Sequence, residues 1–422
     1  VKILWLKTEL LHPVDKGGKI RTYQMLKQLK KDHRITYLTL DNGESETDAL
    51  DQAAEYADEV IAVPHRTSRK FTLPFYAELA RNLGSSLPYA LQKYVSAEMA
   101  QKIRSLARPG NFDVVVCDFL TPAVNLPPTL EIASLLFQHN VEAMIWRRHF
   151  EVARGVAKKA FMKMQWRRMF EYERECLSRF DWVVGVSRED ADMMRADYGI
   201  ENVGDVPTGV DTDYFTPQKE RGAENFNLVF TGSMDWLPNE DAIVWFTGEI
   251  FPRIREKIPQ ATLTVVGRDP FPSLIELSKK DNSIKVTGRV PDVRPFMEEA
   301  GVYVVPIRIG GGTRLKIYEA LAMELPVVST AVGAEGLPLE NGREILLRDT
   351  PGEFAEACVA LMRDRDLARR TGLAAARTVR EKFGWDKVAE DFARHCEKAI
   401  AARGSQNKRK ESERSVSRQA NG

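Results

Sequence analysis

The chain has 422 residues, 43% of them hydrophobic, enough to bury more than one core and to suggest about two or three domains by length. Its formal net charge of +1 is unevenly spread: residues 146–170 carry eight Lys or Arg against one acid, and residues 403–422 carry six against two, which leaves −10 elsewhere. A mildly acidic body with two local basic surfaces argues against general nucleic-acid binding. Cys117, Cys176, Cys358 and Cys396 are scattered without CxxC spacing, so neither a disulfide framework nor a zinc site is expected, and a reducing cytoplasm fits. No apolar run approaches the roughly 18 to 20 residues needed to span a bilayer, and no secretion signal is legible.

Short apolar or β-branched runs at 1–6, 35–40, 59–63, 114–119, 135–139 and 182–187, most followed by helical periodicity, predict one set of strands. The same rhythm resumes at 228–231, 263–267, 284–288, 302–306 and 326–330. Continuous apolar strands joined by helices indicate parallel sheets covered on both faces, hence an α/β protein of two doubly wound, Rossmann-like domains. The polar, Pro- and Gly-containing stretch 216–225 marks the linker. The expected division is therefore 1–216, 217–380, a helix over 381–403 that crosses back to the first domain, and a disordered basic tail over 404–422. Two such domains facing each other would line one cleft with the C-terminal ends of their strands, where sheets of this kind bind ligands.

Several constellations sit at those strand ends. Val302-Tyr-Val-Val-Pro306 runs into Gly310-Gly311-Gly312-Thr313-Arg314-Leu315-Lys316-Ile317-Tyr318-Glu319. Bare glycine backbone, a helix start and two cations suit a phosphate or diphosphate; a tight turn with solvated basic residues is the plainer reading. Gly17-Gly18 opens a helix after the first strand and offers a second place where amides could meet an anion, or serves as a turn. Thr231-Gly232-Ser233 leads to a helix starting near Glu240, with Asn239 as its cap and Pro238 setting the approach. Gly288-Arg289-Val290 follows a strand at an edge where a flat base could rest. His139, in Gln138-His139-Asn140-Val141-Glu142, either orients an acceptor through a sugar hydroxyl or is a histidine satisfied within the fold. Asp211-Thr212-Asp213 has no third ligand and reads as a turn with Asx hydrogen bonds, so no metal is expected.

Taken in order, Gly17-Gly18, the strand 183–187, Pro207-x-Gly-Val-Asp211-x-x-x-Phe215, Phe230-Thr-Gly232, Gly288-x-Val290 and the segment ending Tyr318-Glu319-Ala-Leu-Ala-Met-x-x-Pro326-Val-Val resemble a family 4 glycosyltransferase of the GT-B fold, over residues 1 to about 400. The resemblance implies a retaining transferase that uses a nucleotide diphosphate sugar as donor substrate, with no cofactor and no tightly bound metal. It implies that Gly17 and Gly18 face the donor phosphates and sugar, that Gly232, Ser233, Arg289 and Val290 lie by the nucleotide, and that Glu319 takes the ribose hydroxyls. Gly311, Gly312 and Thr313 would line the donor, with Arg314 and Lys316 holding its diphosphate. Two departures stand out. Family members commonly carry a second glutamate eight positions before Glu319, where this chain has Gly311, and many place Arg and Lys soon after the glycine matching Gly232, where 233–239 has none. Arg314 and Lys316 resemble a subgroup with Gly-Gly-Gly-Thr-Arg-x-Lys here, as if replacing those cations.

Cations and dipoles aimed at the leaving diphosphate would stabilise the charge that grows there, each worth on the order of 3 kcal/mol. A same-face displacement in which the leaving phosphate helps deprotonate the acceptor hydroxyl is expected, with His139 orienting and domain closure completing the site. The acceptor would be a glycan or lipid-linked glycan in polysaccharide or cell-envelope synthesis. The basic stretch 146–170 reads as one amphipathic helix, either an ordinary surface helix or a peripheral contact with anionic lipid at the inner membrane face; Trp166 and Met162 on its polar side favour the latter. Competing readings are a nucleotide-sugar epimerase or phosphorylase on the same fold, and a non-catalytic nucleotide-sugar binder.

Overall fold

The computed structural model describes residues 1–422 apart from 15–16, 44–47, 69–71, 154, 219–224, 235, 310–314 and 421–422, and apart from the side chains of 152 and 408–420. The chain divides into two compact units, one of Val1–Pro207 with Val388–Gly422 and the other of Thr208–Lys387.

The first unit is built on β1 (Lys2–Lys7), β2 (Arg34–Asp41), β3 (Glu59–Pro64), β4 (Val114–Asp118), β5 (Ala133–Phe137), β6 (Trp182–Gly185) and β7 (Val203–Asp205), hydrogen-bonded in the order β3-β2-β1-β4-β5-β6-β7. All pairs are parallel, with Trp5 of β1 opposite Tyr37 of β2 and Val116 of β4. The second unit holds β8 (Asn227–Thr231), β9 (Thr262–Val266), β10 (Ile284–Val286), β11 (Val302–Val305), β12 (Val327–Ser329) and β13 (Leu346–Leu347), in the order β10-β9-β8-β11-β12-β13. Both sheets reverse their strand order beside their first strand, between β1 and β4 and between β8 and β11. The C-terminal ends of those strands are where doubly wound sheets bind ligands.

Burial on both faces explains why the strands read as unbroken apolar runs. In β8 and β11, Leu228, Phe230, Val302 and Val304 enter one core cluster, with Phe246 and Phe354. The alternate residues Val229, Tyr303 and Val305 enter the other, with Ile317 and Leu321. Side-chain direction alternates along a strand, so such a sheet needs apolar residues at every position. Helix ends are set by local chemistry. Ser187, Thr350 and Asp364 each accept a hydrogen bond from an amide in the first turn of the following helix, a cap typically worth about 1 kcal/mol. Gly199, left-handed at φ 68°, ends the helix Arg188–Tyr198.

Three expectations are corrected. The units part at Thr208, not at 217, because the Thr208–Phe215 stretch is tied into the second unit. The Val210 amide donates to the Phe383 carbonyl at 2.8 Å, and Arg294 donates to the Tyr214 carbonyl at 3.1 Å while its guanidinium lies 3.7 Å from the Tyr214 ring centre. Of the stretch 404–422, expected to be disordered, residues 404–420 continue the helix Trp385–Ala420, whose Lys, Arg, Glu, Gln and Ala content favours helix. The single basic helix over 146–170 is two helices, Glu142–Val152 and Val156–Leu177, parted where Gly155 takes a φ of 85° that other residues avoid. Trp166, expected on a lipid-facing side, stacks on Phe150 across that hairpin with ring centres 5.7 Å apart.

Within the first unit the helix Trp385–Ala420 is held by aromatic packing and by polar ties. Phe392 lies against Trp5 and Phe137, Trp182 Nε1 donates to His395 Nδ1 at 2.8 Å, and Arg403 pairs with buried Asp181 at 2.9 Å. Gly204 is required beneath it, since a Cβ there would stand 2.2 Å from the His395 ring.

Candidate functional site

At the switch point of the first sheet, β1 ends on Lys7 and β4 on Asp118, both fully buried. One carboxylate oxygen of Asp118 accepts from Lys7 Nζ at 2.9 Å, Thr22 Oγ1 at 2.6 Å and Trp5 Nε1 at 3.0 Å. The other stands 2.7 Å from His139 Nε2, a close contact poorly aligned for a hydrogen bond. Burial alone would raise the Asp118 carboxyl, but Lys7, His139 and Thr22 outweigh it and hold it well below the usual carboxylate range. Burial lowers His139 to about 3 against the pull of Asp118, so the ring is neutral at pH 7. That ring stacks on Phe119 with centres 3.8 Å apart, and Phe119 has a φ of 71°, an uncommon conformation for a bulky residue.

Gly17 and Gly18 begin the helix Gly17–Leu29 at this edge. A Cβ at Gly18 would stand 3.0 Å from the Phe119 ring, whereas one at Gly17 would meet nothing within 4 Å. Gly18, Thr22, Phe119 and His139 thus belong to one packed cluster. Buried Arg21, lowered to about 10 by burial and raised in part by Asp118 and Asp190, lies among the same charges. His139 sits at the predicted edge as a neutral, almost fully enclosed group.

The switch point of the second sheet is arranged differently. Gly232 ends the path out of β8, and a Cβ there would stand 2.7 Å from Lys316 Nζ and 2.8 Å from Asn239 Nδ2. Lys316, on the helix Leu315–Ala322, donates to Asn239 Oδ1 at 3.0 Å and lies 4.3 Å from the Phe230 ring centre. Asn239 in turn donates to the Ser233 carbonyl at 2.8 Å. It stands inside the helix Leu237–Trp245, which starts earlier than the sequence suggests, with Trp236 at the cap position and Pro238 in the first turn. Ser233 Oγ accepts from Arg268 Nε at 2.7 Å.

Glu319, one turn along from Lys316, is half-buried; burial pushes its carboxyl up to about 7, with Lys316 acting in the opposite direction. Tyr303, raised chiefly by burial and in smaller part by the Glu319 charge, shares a hydrogen bond with Thr231 Oγ1 at 2.5 Å. The structure therefore gathers Gly232, Ser233, Lys316 and Glu319 at one edge. Arg289 is exposed and Val290 packs on the core after Gly288, whose φ is 70°. Gly311, Gly312, Thr313 and Arg314 lie outside the described residues. Asp211 accepts from the Tyr214 amide at 2.9 Å, the turn expected there.

Lys7, Asp118, Arg21 and Arg268 were not singled out from sequence. Lys7 and Asp118 are 111 residues apart and each closes an apolar strand, so a charged residue at that terminal position was the available signal. Arg268 follows Gly267 at the end of β9, the same kind of edge as Gly232.

Two family descriptions match the chain: "Glycosyltransferase Family 4" over residues 16–214 and "Glycosyl transferases group 1" over residues 225–364. An uncharacterized 44.6 kDa protein in the cps region of Klebsiella pneumoniae is 19% identical over 92% of this chain and 97% of its own length. A GDP-mannose-dependent alpha-(1-6)-phosphatidylinositol monomannoside mannosyltransferase of Mycobacterium tuberculosis is 27% identical over 44% of this chain, and the match spans about half (54%) of that relative. Among solved structures, TarM superposes with a TM-score of 0.67 at 12% identity, covering 94% of this chain and 98% of TarM. Anabaena HepE in complex with UDP and glucose gives 0.59 at 13% identity, covering 93% and 98%.

Proposed function

We propose that this chain, a glycosyltransferase of the GT-B fold with family 4 character, moves a sugar from a nucleotide diphosphate sugar to a glycan or lipid-linked acceptor, with retention, in polysaccharide or cell-envelope glycan synthesis. The observation that carries the reading is the edge of β8, where the Lys316 ammonium closes on the bare backbone of Gly232 with Glu319 one turn away. A cation against glycine backbone suits a diphosphate, and a carboxylate beside it suits a ribose diol. The relative in a cps region and the mannosyltransferase support an envelope-related acceptor.

In this mechanism the bond from the anomeric carbon to the diphosphate breaks while the acceptor oxygen bonds to the same face of that carbon. The acceptor proton passes to a leaving phosphate oxygen. Lys316 stabilises the growing negative charge without having to move, and Arg314 is assigned the same task from sequence. From sequence, Gly17 and Gly18 are assigned to the donor, Ser233, Arg289 and Val290 to the nucleotide, and Gly311, Gly312 and Thr313 to the donor. His139, neutral and braced by Phe119 and Asp118, orients and does not attack. No metal and no cofactor enters this scheme.

Contact with anionic lipid is part of the proposal. The hairpin of Glu142–Val152 and Val156–Leu177 exposes Arg147, Arg148, Lys158, Lys159, Lys163 and Arg167, and Val156 at its turn is 89% exposed. Each cation near such a surface contributes about 1 kcal/mol. No described helix is long and apolar enough to cross a membrane.

Thermal-shift measurements with UDP-, GDP- and ADP-sugars, followed by transfer assays, test the function. One nucleotide class should raise Tm, by the equivalent of about 2.7 kcal/mol at a hundredfold excess over Kd. Absence of any shift and any transfer contradicts the reading, and isomerisation of the sugar nucleotide without acceptor would favour an epimerase.

A further inference from the structure

Resting on the reading of His139 as the group that orients the acceptor, we propose that Glu173 is its positioning residue, a buried carboxylate that clamps the chain on both sides of His139. Glu173 lies within the helix Val156–Leu177 and is fully buried. One of its oxygens accepts from Gln138 Nε2 at 2.5 Å and from the Glu142 amide at 2.8 Å. The other accepts from the Ala143 amide at 2.8 Å and from the Tyr198 hydroxyl at 2.6 Å. Three of these four donors belong to the six residues 138–143. The helix Glu142–Val152 has apolar Val141 at its cap position, which offers no side-chain oxygen to the first-turn amides. Glu173 supplies that acceptor from a neighbouring helix, and its carboxylate meets the positive end of the helix dipole.

His139 stands between the two halves of this clamp. Upstream, the Gln138 amide extends the pairing of β5 with β6 by donating to the Val184 carbonyl at 2.8 Å, while its side chain is tied to Glu173. Downstream, the amides of Glu142 and Ala143 end on the same carboxylate. The imidazole is held by other elements: it stacks on Phe119 with centres 3.8 Å apart, lies 4.4 Å from the Phe137 ring centre and stands 2.7 Å from Asp118. Backbone and ring are thus fixed separately, the first by Glu173 and the second by the ends of β4 and β5. Burying a carboxylate is costly where apolar packing would serve stability as well, so a carboxylate tied to three points of one short segment contributes geometry. Glu173→Gln removes that geometry selectively. An amide keeps one acceptor oxygen, and in either orientation its NH2 meets the N–H of Glu142 or of Ala143, neither of which can reverse.

Proton–carbon NMR of the full chain with its six histidines labelled at the ring Cε1 tests this, the His139 signal being assigned by its loss in His139→Gln. The ring current of Phe119 displaces that signal from the ordinary imidazole position. Glu173→Gln and Gln138→Leu should each return it toward that position. Tyr198→Phe removes the one donor outside 138–143, and should leave the signal in place while lowering Tm. In transfer assays with the sugar nucleotide that raises Tm, Glu173→Gln should lower turnover by about a hundredfold at unchanged donor KM, as for a small misplacement of an orienting group, and Glu173→Asp should recover part of the loss. An unmoved His139 signal in folded Glu173→Gln, a signal moved equally by Tyr198→Phe, or unchanged turnover beside a moved signal makes Glu173 a structural brace and overturns the inference. Thermal unfolding establishes that each variant is folded, and Gln138→Leu supplies the same comparison if the glutamine variant is not. Wild type that transfers no sugar overturns the functional reading, a result distinct from the NMR comparison, which needs no substrate.

Discussion

The two sheets share one strand order around their switch points, yet they hold charge there in opposite ways. In the first, Lys7 is enclosed against the Asp118 carboxylate, which also takes Thr22 and Trp5, so the ion pair is settled inside the fold. In the second, Lys316 donates to the Asn239 amide oxygen and stands against the bare backbone of Gly232, with Glu319 one turn away. A buried pair spends its charge on itself, whereas a cation beside bare glycine backbone at a strand end suits an incoming anion. The first edge is thus a rigid frame around His139 and Phe119, and the second is the proposed anion site.

The strongest way to break this contrast is Asp118→Ala. It strands Lys7 as an uncompensated buried charge, and chemical denaturation should show a loss of about 3 to 5 kcal/mol. Lys316→Ala should leave the denaturation midpoint nearly unchanged and instead lower turnover by roughly a hundredfold to a thousandfold, about 3 kcal/mol of transition-state stabilisation. A large stability loss in Lys316→Ala with residual turnover intact would erase the distinction. Gly267→Ala probes the pairing of the loops that leave β8 and β9, where the Gly232 amide donates to the Val266 carbonyl at 2.9 Å. The clash with Gly232 backbone should cost about 1 to 3 kcal/mol and weaken nucleotide binding alongside, read by unfolding and titration together.

The smallest effect is a pH dependence. The Glu319 carboxyl is pushed up to about 7 by burial, and its ionised form is the one that accepts two ribose hydroxyls, so donor affinity should rise as pH increases through about 7. Glu319→Gln should flatten that profile. Stability runs the other way: between the ordinary 4.5 and about 7 the native state holds a proton that the unfolded chain has lost, so stability declines as pH rises across that window. Affinity that falls through the same range would contradict the assignment.

All eleven strands expected from apolar runs are present: the inner ones are buried on both faces and so read continuously, while the edge strands β3 and β10 are only partly buried and read from short β-branched runs. The two missed, β7 and β13, are edge strands of three and two residues, and Val203-Gly-Asp205 has no apolar run to read. The gathering of Gly232, Ser233, Lys316 and Glu319 was legible because glycines and charges fall directly after strands in a known alternation. The Lys7–Asp118 pair was not, since strand-terminal charges ordinarily read as solvated and their partnership depends on a pairing between β1 and β4. The hairpin at 142–177 was misread because a helical wheel assumes a continuous helix, and one left-handed glycine at 155 resets the phase.

The most direct measurement is a crystal structure of the full chain with the nucleoside diphosphate that gives the largest thermal shift. The account predicts phosphate oxygens beside the Gly232 backbone, within hydrogen-bond distance of Lys316 Nζ, with the ribose on Glu319. Phosphates bound elsewhere, out of reach of Lys316, with Glu319 empty of ribose, would contradict it.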